Sequence, residues 1–356
     1  MTSNPFKARY LPVDQWPLTC QRQWTDAFTE ADLFEASKPA TFWRKTTVRK
    51  NSSAFGTFVS WNIYCRDCDP DAGAVEFVTP ARVKGFLADL EASDYASNTI
   101  FCHLQGLYDS VRVMDPGADW DWLLNAVKKI RTRAKPVRNK LHRLQPAQKL
   151  AVLGQQLMQE AETNTYRTMY KRALMYRDGL MIATMIRRPL RLANFASLTL
   201  GVSLLLHKKG ATLVLPPEEM KGKRPFEAKF PPNLAAALKT YLEVYRPYLL
   251  SLQHEETSEP VTGLWISNEG RAMADQSIRN AIKKRTRTAF GQDLTPHLFR
   301  DASVTTLVRD APASALITKA ILGHSTIETT NKYYNQGKMV DVSRRHTNLM
   351  EQLINL

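Results

Sequence analysis

The sequence predicts a mainly α-helical protein with one small antiparallel β-sheet, divided between two domains. Three observations lead there. At roughly 150 residues per domain, 356 residues make two domains. Apolar residues recur at helical spacing through most of residues 41–132. After Leu198, short apolar runs joined by Lys208-Lys-Gly210 read as strands and a hairpin turn. Hydrophobic residues make up 44% of the chain, enough for real cores, so global disorder is excluded.

Residues 1–40 carry Pro5, Pro12 and Pro17 with a short helical pattern around Cys20 to Phe28, and read as an N-terminal arm. Residues 41–134 form a helical domain. Its first helix, Phe42 to Tyr64, places Val48, Phe55, Phe58, Val59 and Trp61 at helical spacing, and most aromatics of this domain read as core. A turn follows around Asp67 to Gly73. Thr79 before Pro80 is an N-cap and first-turn proline, opening a helix through Leu90. Helices over Ser97–Met114 and Ala118–Thr132 flank Asp115-Pro-Gly. Residues 135–149 are a basic linker.

Residues 150–338 form the second domain, whose first helix starts at about Pro146. Expected here are helices Pro146–Ala161 and Thr165–Arg187, and strands Leu198–His207, Thr212–Leu215 and Pro225–Phe230. A helix Asn233–Leu250 and a short strand Leu264–Ser267 follow. Helices Ala274–Phe290, Pro296–Val308 and Ser314–Leu322 complete it. The tail, 339–356, places Leu349, Met350, Leu353, Ile354 and Leu356 on one helical face, to pack on its own domain or on a neighbour.

Lys and Arg number 49 against 34 Asp and Glu, a net charge of +15, so an anionic partner is expected. Between Lys128 and Lys149 there are nine Lys or Arg and no acid. A linker crossing a phosphate backbone has this composition. The candidate phosphate-contacting residues are Arg44, Lys45 and Arg49, then Lys128, Lys129, Arg131, Arg138, Lys140 and Arg143, and finally Lys283, Lys284 and Arg287. The last group shares a helix with Arg285 and reads equally as a solvated face.

The longest apolar run, Gly179–Ile186, is too short to cross a membrane, and the N-terminus has no signal-peptide core. Cys65-Arg-Asp-Cys68 lacks the second ligand pair of a zinc site, so the four cysteines read as reduced thiols. His103, His142, His207, His254 and His346 read as structural. Metal, nucleotide and serine-hydrolase motifs are missing, so most hydrolase and nucleotide-dependent readings lose their support.

What remains is an ordered set of basic residues. Arg191 lies in Arg188-Pro-Leu-Arg-Leu-Ala-Asn-Phe-Ala-Ser-Leu198, just after a helix. His297 and Arg300 lie three apart in Thr295-Pro-His-Leu-Phe-Arg300. His324 opens a segment that ends on Tyr333 and Tyr334. This set resembles the tyrosine recombinase (phage integrase) family, whose last box reads approximately Leu-Gly-His-Ser-x-x-x-Thr-Thr-x-x-Tyr. Here Leu322, Gly323, His324, Ser325, Thr329, Thr330 and Tyr333 fill it. The first box matches through Arg191 and Leu198, the middle one through His297 and Arg300. The likeness covers about residues 180–335. It extends more weakly to residues 41–132, which are similar to the family's helical core-binding (SAM-like) domain.

The resemblance implies a core-binding domain followed by an α+β catalytic domain, and a DNA-cutting and rejoining enzyme. The chemistry suits these residue types. Phosphodiester cleavage needs negative charge stabilised on non-bridging oxygens, which Arg191 and Arg300 supply bidentately without losing their charge. A free tyrosine has a pKa of about 10 and must lose its proton as it attacks, and the resemblance makes Tyr333 that nucleophile. His297 is the candidate base or phosphate donor, and His324 a phosphate donor. Lys221 or Lys223 protonates the leaving 5′-oxygen, and the family pattern favours Lys221. Tyr333 is favoured over Tyr334 by box spacing, and Leu198 sets the register on Arg191 rather than Arg187 or Arg188.

The resemblance also implies a 3′-phosphotyrosine intermediate that retains the bond energy, so that strand exchange is expected to need no metal, ATP or other cofactor. The resemblance implies duplex DNA as substrate, a homo-tetramer on paired sites with the tail exchanged between protomers, accessory DNA-bending or directionality proteins, and a cytoplasmic, nucleoid-associated location. A type IB topoisomerase and a non-catalytic DNA-binding relative stay as alternatives. Asn194 stands where the family commonly has Glu, Asp301 where it has His, and Pro189 where it has Gly.

Overall fold

The computed structural model describes residues 9–30, 32, 34, 36–65, 73–134, 143–208, 210–220, 225–253 and 260–310. The expected helix Ser314–Leu322, the tail 339–356, the turn after Cys65 and the residues Arg138, Lys140, Lys221, Lys223, His324 and Tyr333 lie outside them. The predicted class holds: the described residues are mainly helical, with a three-stranded antiparallel sheet. The chain divides into two compact units, residues 1–139 and 140–356.

The first unit contains α1 (Leu18–Ala27), α2 (Lys45–Cys65), α3 (Ala74–Phe77), α4 (Pro80–Ala92), α5 (Ser97–Met114) and α6 (Asp121–Arg133). The stripe Ile100, Leu104, Leu107, Val111 and Met114 turns one face of α5 inward, where it packs on α1, α2 and α6. Helix α4 begins as expected, with Thr79 Oγ1 accepting from the Arg82 N–H at 3.4 Å and Pro80 in the first turn. Phe55, Phe58, Trp61, Phe77 and Phe86 are fully buried, and the Trp61 indole N–H donates to Asp89 at 2.8 Å.

Residues 13–30 and 36–40, expected as part of an arm, fold into this unit instead. Trp16, Cys20 and Trp24 are buried in its core, with Trp16 4.7 Å from the Phe55 ring. Burying two indoles outweighs the chain-breaking effect of Pro12 and Pro17, which end up flanking a 3-10 turn at Val13–Gln15. Burial pushes the Cys20 thiol up to about 12, so it behaves as a small apolar residue.

The second unit is organised by α7 (Ala147–Thr163) and α8 (Met169–Arg187), followed by the short α9 (Leu192–Ala196). Helix α8 is buried continuously from Met175 to Ile186, so it is the unit's central element. It starts at Met169 rather than Thr165 because Thr168 caps it, accepting from the Lys171 N–H at 3.4 Å. Helices α7 and α8 touch backbone to backbone. A Cβ on Gly154 would lie 2.8 Å from the Gly179 carbonyl, and one on Gly179 would lie 2.7 Å from the Gly154 carbonyl.

The strands are β1 (Leu204–His207), β2 (Gly210–Leu215) and β3 (Phe226–Lys229), in the order β1-β2-β3. Leu204 pairs with Leu213, and Leu215 with Phe226. Ala211, Leu213 and Leu215 alternate into the core. The sequence pattern starts the first strand at Leu198, and the structure corrects this. Residues 199–203 form a tight turn, with Gly201 at φ +76° and the Leu204 N–H on the Thr199 carbonyl at 2.9 Å. The expected strand Leu264–Ser267 holds only an isolated bridge, Ile266 to Ala272, and Gly263 just before it bridges Thr199.

The expected helix Asn233–Leu250 is α10 (Ala235–Thr240), a π turn (Tyr241–Tyr245) and α11 (Arg246–Leu250). Pro247 explains the π turn: in a regular helix its ring would collide with the Glu243 carbonyl, and the wider turn relieves this. Helices α12 (Asp275–Phe290) and α13 (Pro296–Asp310) follow.

Gly154→Ala sets a methyl against the Gly179 carbonyl, and overpacking of this kind costs about 1–3 kcal/mol. In a unit of this size, each kcal/mol lowers Tm by roughly 2–4 °C. Calorimetry of the full chain is expected to show the second unit melting earlier. An unchanged transition would mean that α7 and α8 do not meet at this point.

Candidate functional site

Arg191 occupies the N-cap position of α9, directly after the turn that ends α8. That turn is tight, with the Leu190 N–H on the Arg188 carbonyl at 2.7 Å. Arg300 lies on α13 and is only 7% exposed, and its guanidinium donates to the Pro189 carbonyl. The fold therefore brings two segments 111 positions apart together, at a point two residues before Arg191. His297 lies one turn before Arg300 on α13, with its side chain exposed.

The neighbouring arginines are engaged by backbone. Arg187 donates to the Ala183 carbonyl at 3.0 Å, and burial lowers its pKa. Arg188 donates to the Lys229 carbonyl at 3.0 Å, tying the end of α8 to β3.

Helix α9 is held from two further directions. The Asn194 side chain, 6% exposed, donates from its amide to the Glu219 carbonyl at 3.1 Å. Glu219 lies in the connection between β2 and β3, two residues before Lys221. An ionised carboxylate could not make this bond, because it has no proton to donate. The Trp265 indole donates to the Phe195 carbonyl at 3.0 Å, and the two rings stack at 5.0 Å. Asp301 is half-buried beside Arg300 in sequence.

The candidate phosphate-contacting residues are placed as follows. Arg44, Lys45 and Arg49 are exposed at the start of the first unit's long helix α2, and Lys128, Lys129 and Arg131 are exposed at the end of α6. In the second unit, Lys284 is exposed on α12. Lys283 and Arg287 are ion-paired with Asp293, at 3.1 and 2.6 Å. Arg143 donates to the Asp293 main-chain carbonyl. Arg285 turns the other way, to the buried Asp178 at 2.8 Å.

The Arg287 guanidinium, and then the Lys283 ammonium, hold the Asp293 carboxyl down at about 2. Sequence reasoning missed Trp265 and the Pro189 carbonyl, because each acts through a partner distant in the chain, and Asp293, because its pairing with Lys283 and Arg287 depends on the turn that follows α12. Among the described residues no cluster of His, Cys, Asp or Glu could hold a metal ion, and no helix is long and apolar enough to cross a membrane.

Residues 154–339 match the profile of the phage integrase family. This chain belongs to the phage integrase, or tyrosine recombinase, family. The family membership expected from the sequence is thereby borne out. The chain is 24% identical over 161 residues to the tyrosine recombinase XerC of Bifidobacterium longum (strain DJO10A), which covers 45% of this chain and 41% of that protein. It is 31% identical over 114 residues to the XerC of Natranaerobius thermophilus, covering 31% of this chain and 37% of that one. The match thus spans about two fifths of these relatives' length.

Among solved structures, the XerH site-specific recombinase bound to palindromic difH substrate, a post-cleavage complex, aligns with a TM-score of 0.55 at 12% identity, over 95% of this chain and 99% of that one. The pre-cleavage complex of XerH with difH aligns with a TM-score of 0.52 at 14% identity, over 81% and 76%. These likenesses establish a shared tyrosine-recombinase fold.

Two consequences are testable. Asn194→Asp sets a carboxylate against the Glu219 carbonyl, an unsatisfied buried acceptor costing about 1–3 kcal/mol. The folded-state pKa of that Asp is raised, so the loss is fullest at neutral pH and shrinks as pH falls through the folded pKa. Urea denaturation at several pH values checks this, and a pH-independent loss would contradict it.

For Asp293 the sign is opposite. Its carboxyl is lowered from 3.8 to about 2, so its contribution is full above 3.8 and is lost as pH falls towards 2. A carbon-13 titration of its carboxyl should show that low midpoint, and Arg287→Gln should raise it.

Proposed function

We propose that the protein is a site-specific DNA recombinase, cutting and rejoining duplex DNA through a 3′-phosphotyrosine. The observation that carries this reading is the bond from Arg300 to the Pro189 carbonyl, which brings the middle and first boxes of the family set together within the matched span. The solved XerH complexes, bound to a difH substrate, support DNA as the partner.

In this reading Arg191 and Arg300 clamp the scissile phosphate and stabilise charge on its non-bridging oxygens. A guanidinium oriented by a backbone carbonyl suits that task, because its planar fork is then held in one orientation. The Tyr333 hydroxyl loses its proton to His297 and attacks phosphorus. A Tyr–O–P bond forms as the P–O5′ bond breaks. Lys221 gives a proton to the departing 5′-oxygen, and His324 donates to a phosphate oxygen. The 5′-hydroxyl of a second strand then attacks the phosphotyrosine, restores the phosphodiester and frees Tyr333. One ester replaces another at each step, so no external energy source enters the balance.

Residues 41–134 and the linker 135–149 grip the DNA backbone, using Arg44, Lys45, Arg49, Lys128, Lys129, Arg131, Arg138, Lys140 and Arg143. Four protomers on paired sites exchange the tail 339–356, with accessory DNA-bending proteins setting direction. An enzyme acting on such a substrate works with the nucleoid in the cytoplasm.

Covalent trapping tests the reading. The protein is incubated in EDTA with nicked duplexes tiled from DNA flanking its own gene, then denatured and digested for peptide mass analysis. A DNA-linked peptide containing Tyr333, absent from Tyr333→Phe, is the expected result. Tight binding with no adduct on any duplex would favour a non-catalytic DNA-binding protein. An adduct on Tyr334 would shift the register by one residue.

A further inference from the structure

The turn between α12 and α13 is built to hold one carboxylate still. Helix α12 ends on Gly291 at φ +67°, whose N–H caps the Arg287 carbonyl at 2.9 Å. Leu294 is fully buried, and its N–H donates to the Thr286 hydroxyl at 3.0 Å. Thr286 is itself buried and bonded back to the Ile282 carbonyl at 2.9 Å. Asp293 sits between these two anchors, so its position is set by the core while its side chain faces outward, 22% exposed.

Three cations converge on it. Arg287 bonds both carboxylate oxygens, Nε to Oδ1 at 2.6 Å and Nη2 to Oδ2 at 2.7 Å. Lys283 reaches Oδ2 at 3.1 Å, and Arg143, from the basic linker, donates to the Asp293 main-chain carbonyl. The Arg287 side chain is 68% exposed, so the pair sits in water, where screening leaves such pairs little weight in stability. An arrangement so well anchored and so weak in stability suits exchange of partners better than folding.

We infer that Asp293 is a built-in competitor for the DNA phosphate backbone, occupying Lys283 and Arg287 until a phosphodiester displaces it. The inference rests on the recombinase reading above. A phosphate fits the place of the carboxylate, since both present paired anionic oxygens to a guanidinium fork. Lys284, exposed on the same helix, extends the basic surface. On a chain of net charge +15, unguarded cations would bind any duplex. Holding two of them in an internal pair lowers affinity for arbitrary DNA. A site-specific enzyme gains from this, because its target competes with a large excess of other sequence.

The test is binding of the full chain to a random-sequence duplex across about 50–200 mM salt. Asp293→Asn keeps the shape of the side chain and removes its charge. It is expected to steepen the slope of log K against log salt by about 0.9, which is roughly eightfold tighter binding at 0.1 M salt. Asp293→Ala should change affinity in the same direction. Arg287→Gln should cost little in the wild-type background and abolish the gain in the Asp293→Asn background.

Equal cost of Arg287→Gln in both backgrounds would mean that Asp293 acts only as bulk charge, and would overturn the inference. Weaker binding by Asp293→Asn would overturn it as well, making the carboxylate an organiser rather than a competitor. If the wild-type chain binds duplex but Asp293→Asn changes neither slope nor affinity, the inference alone fails. If the wild-type chain binds no duplex at any salt, the recombinase reading fails and takes the inference with it.

Discussion

Helix α8 is buried along its C-terminal two thirds, and the second unit is arranged around that burial. Its approach to α7 needs Gly154 and Gly179, because any side chain at either position would enter the other helix's backbone. Polar groups on a helix so enclosed must find partners within the protein. Arg177 and Asp178 satisfy each other at 2.7 Å, Arg177 also reaches the Ile266 carbonyl at 2.7 Å, and Asp178 takes Arg285 from α12. A hydrogen bond therefore connects α8 to the 260–273 segment, and an ion pair connects it to α12. The ion pairs' desolvation largely offsets their attraction, so they specify an arrangement more than they stabilise it.

Where α8 ends, the candidate site begins. Arg188 pins the end of the helix to the Lys229 carbonyl, and the turn that follows presents the Pro189 carbonyl to Arg300. One turn later Asn194 and Phe195 tie α9 to the β2–β3 connection and to Trp265. The backbone on either side of Arg191 is thus held by side chains from α13, from the 260–273 segment and from α9 itself. A site for charge stabilisation depends on such prior fixation, since groups that must reorganise during reaction lose most of their effect. Asn194, in place of the family's commoner Glu, reverses a polarity here: a donor meets a carbonyl oxygen.

The basic surface is not uniform. On α12, four consecutive or near-consecutive cations divide between two directions and solvent. Arg285 turns inward to Asp178, Lys283 and Arg287 turn to Asp293, and Lys284 is exposed. A helix places residues three and four apart on one face, which is why Lys283 and Arg287 share a partner while Arg285 cannot. Net charge alone would have counted all four as equivalent.

The sequence by itself determined the family, the helical class, the strand-bearing segment and the residue types of the candidate site, because apolar periodicity, turn chemistry and ordered short motifs are local signals. Helix α5 was legible to the residue, since its apolar stripe and the flanking Asp115-Pro-Gly agree. Other features were decided only by tertiary contacts. The N-terminal tryptophans joined the first core because their burial outweighs local proline signals. The strand pattern from Leu198 breaks at Gly201 because Thr199 bridges Gly263 instead. The π turn, the Arg300 bond to Pro189, the Asn194 bond to Glu219 and the Asp293 pairings each join groups whose partners are set by how the elements pack. A hydrogen bond or ion pair is specified by two positions in space, and a single chain read in order carries only one of them at a time.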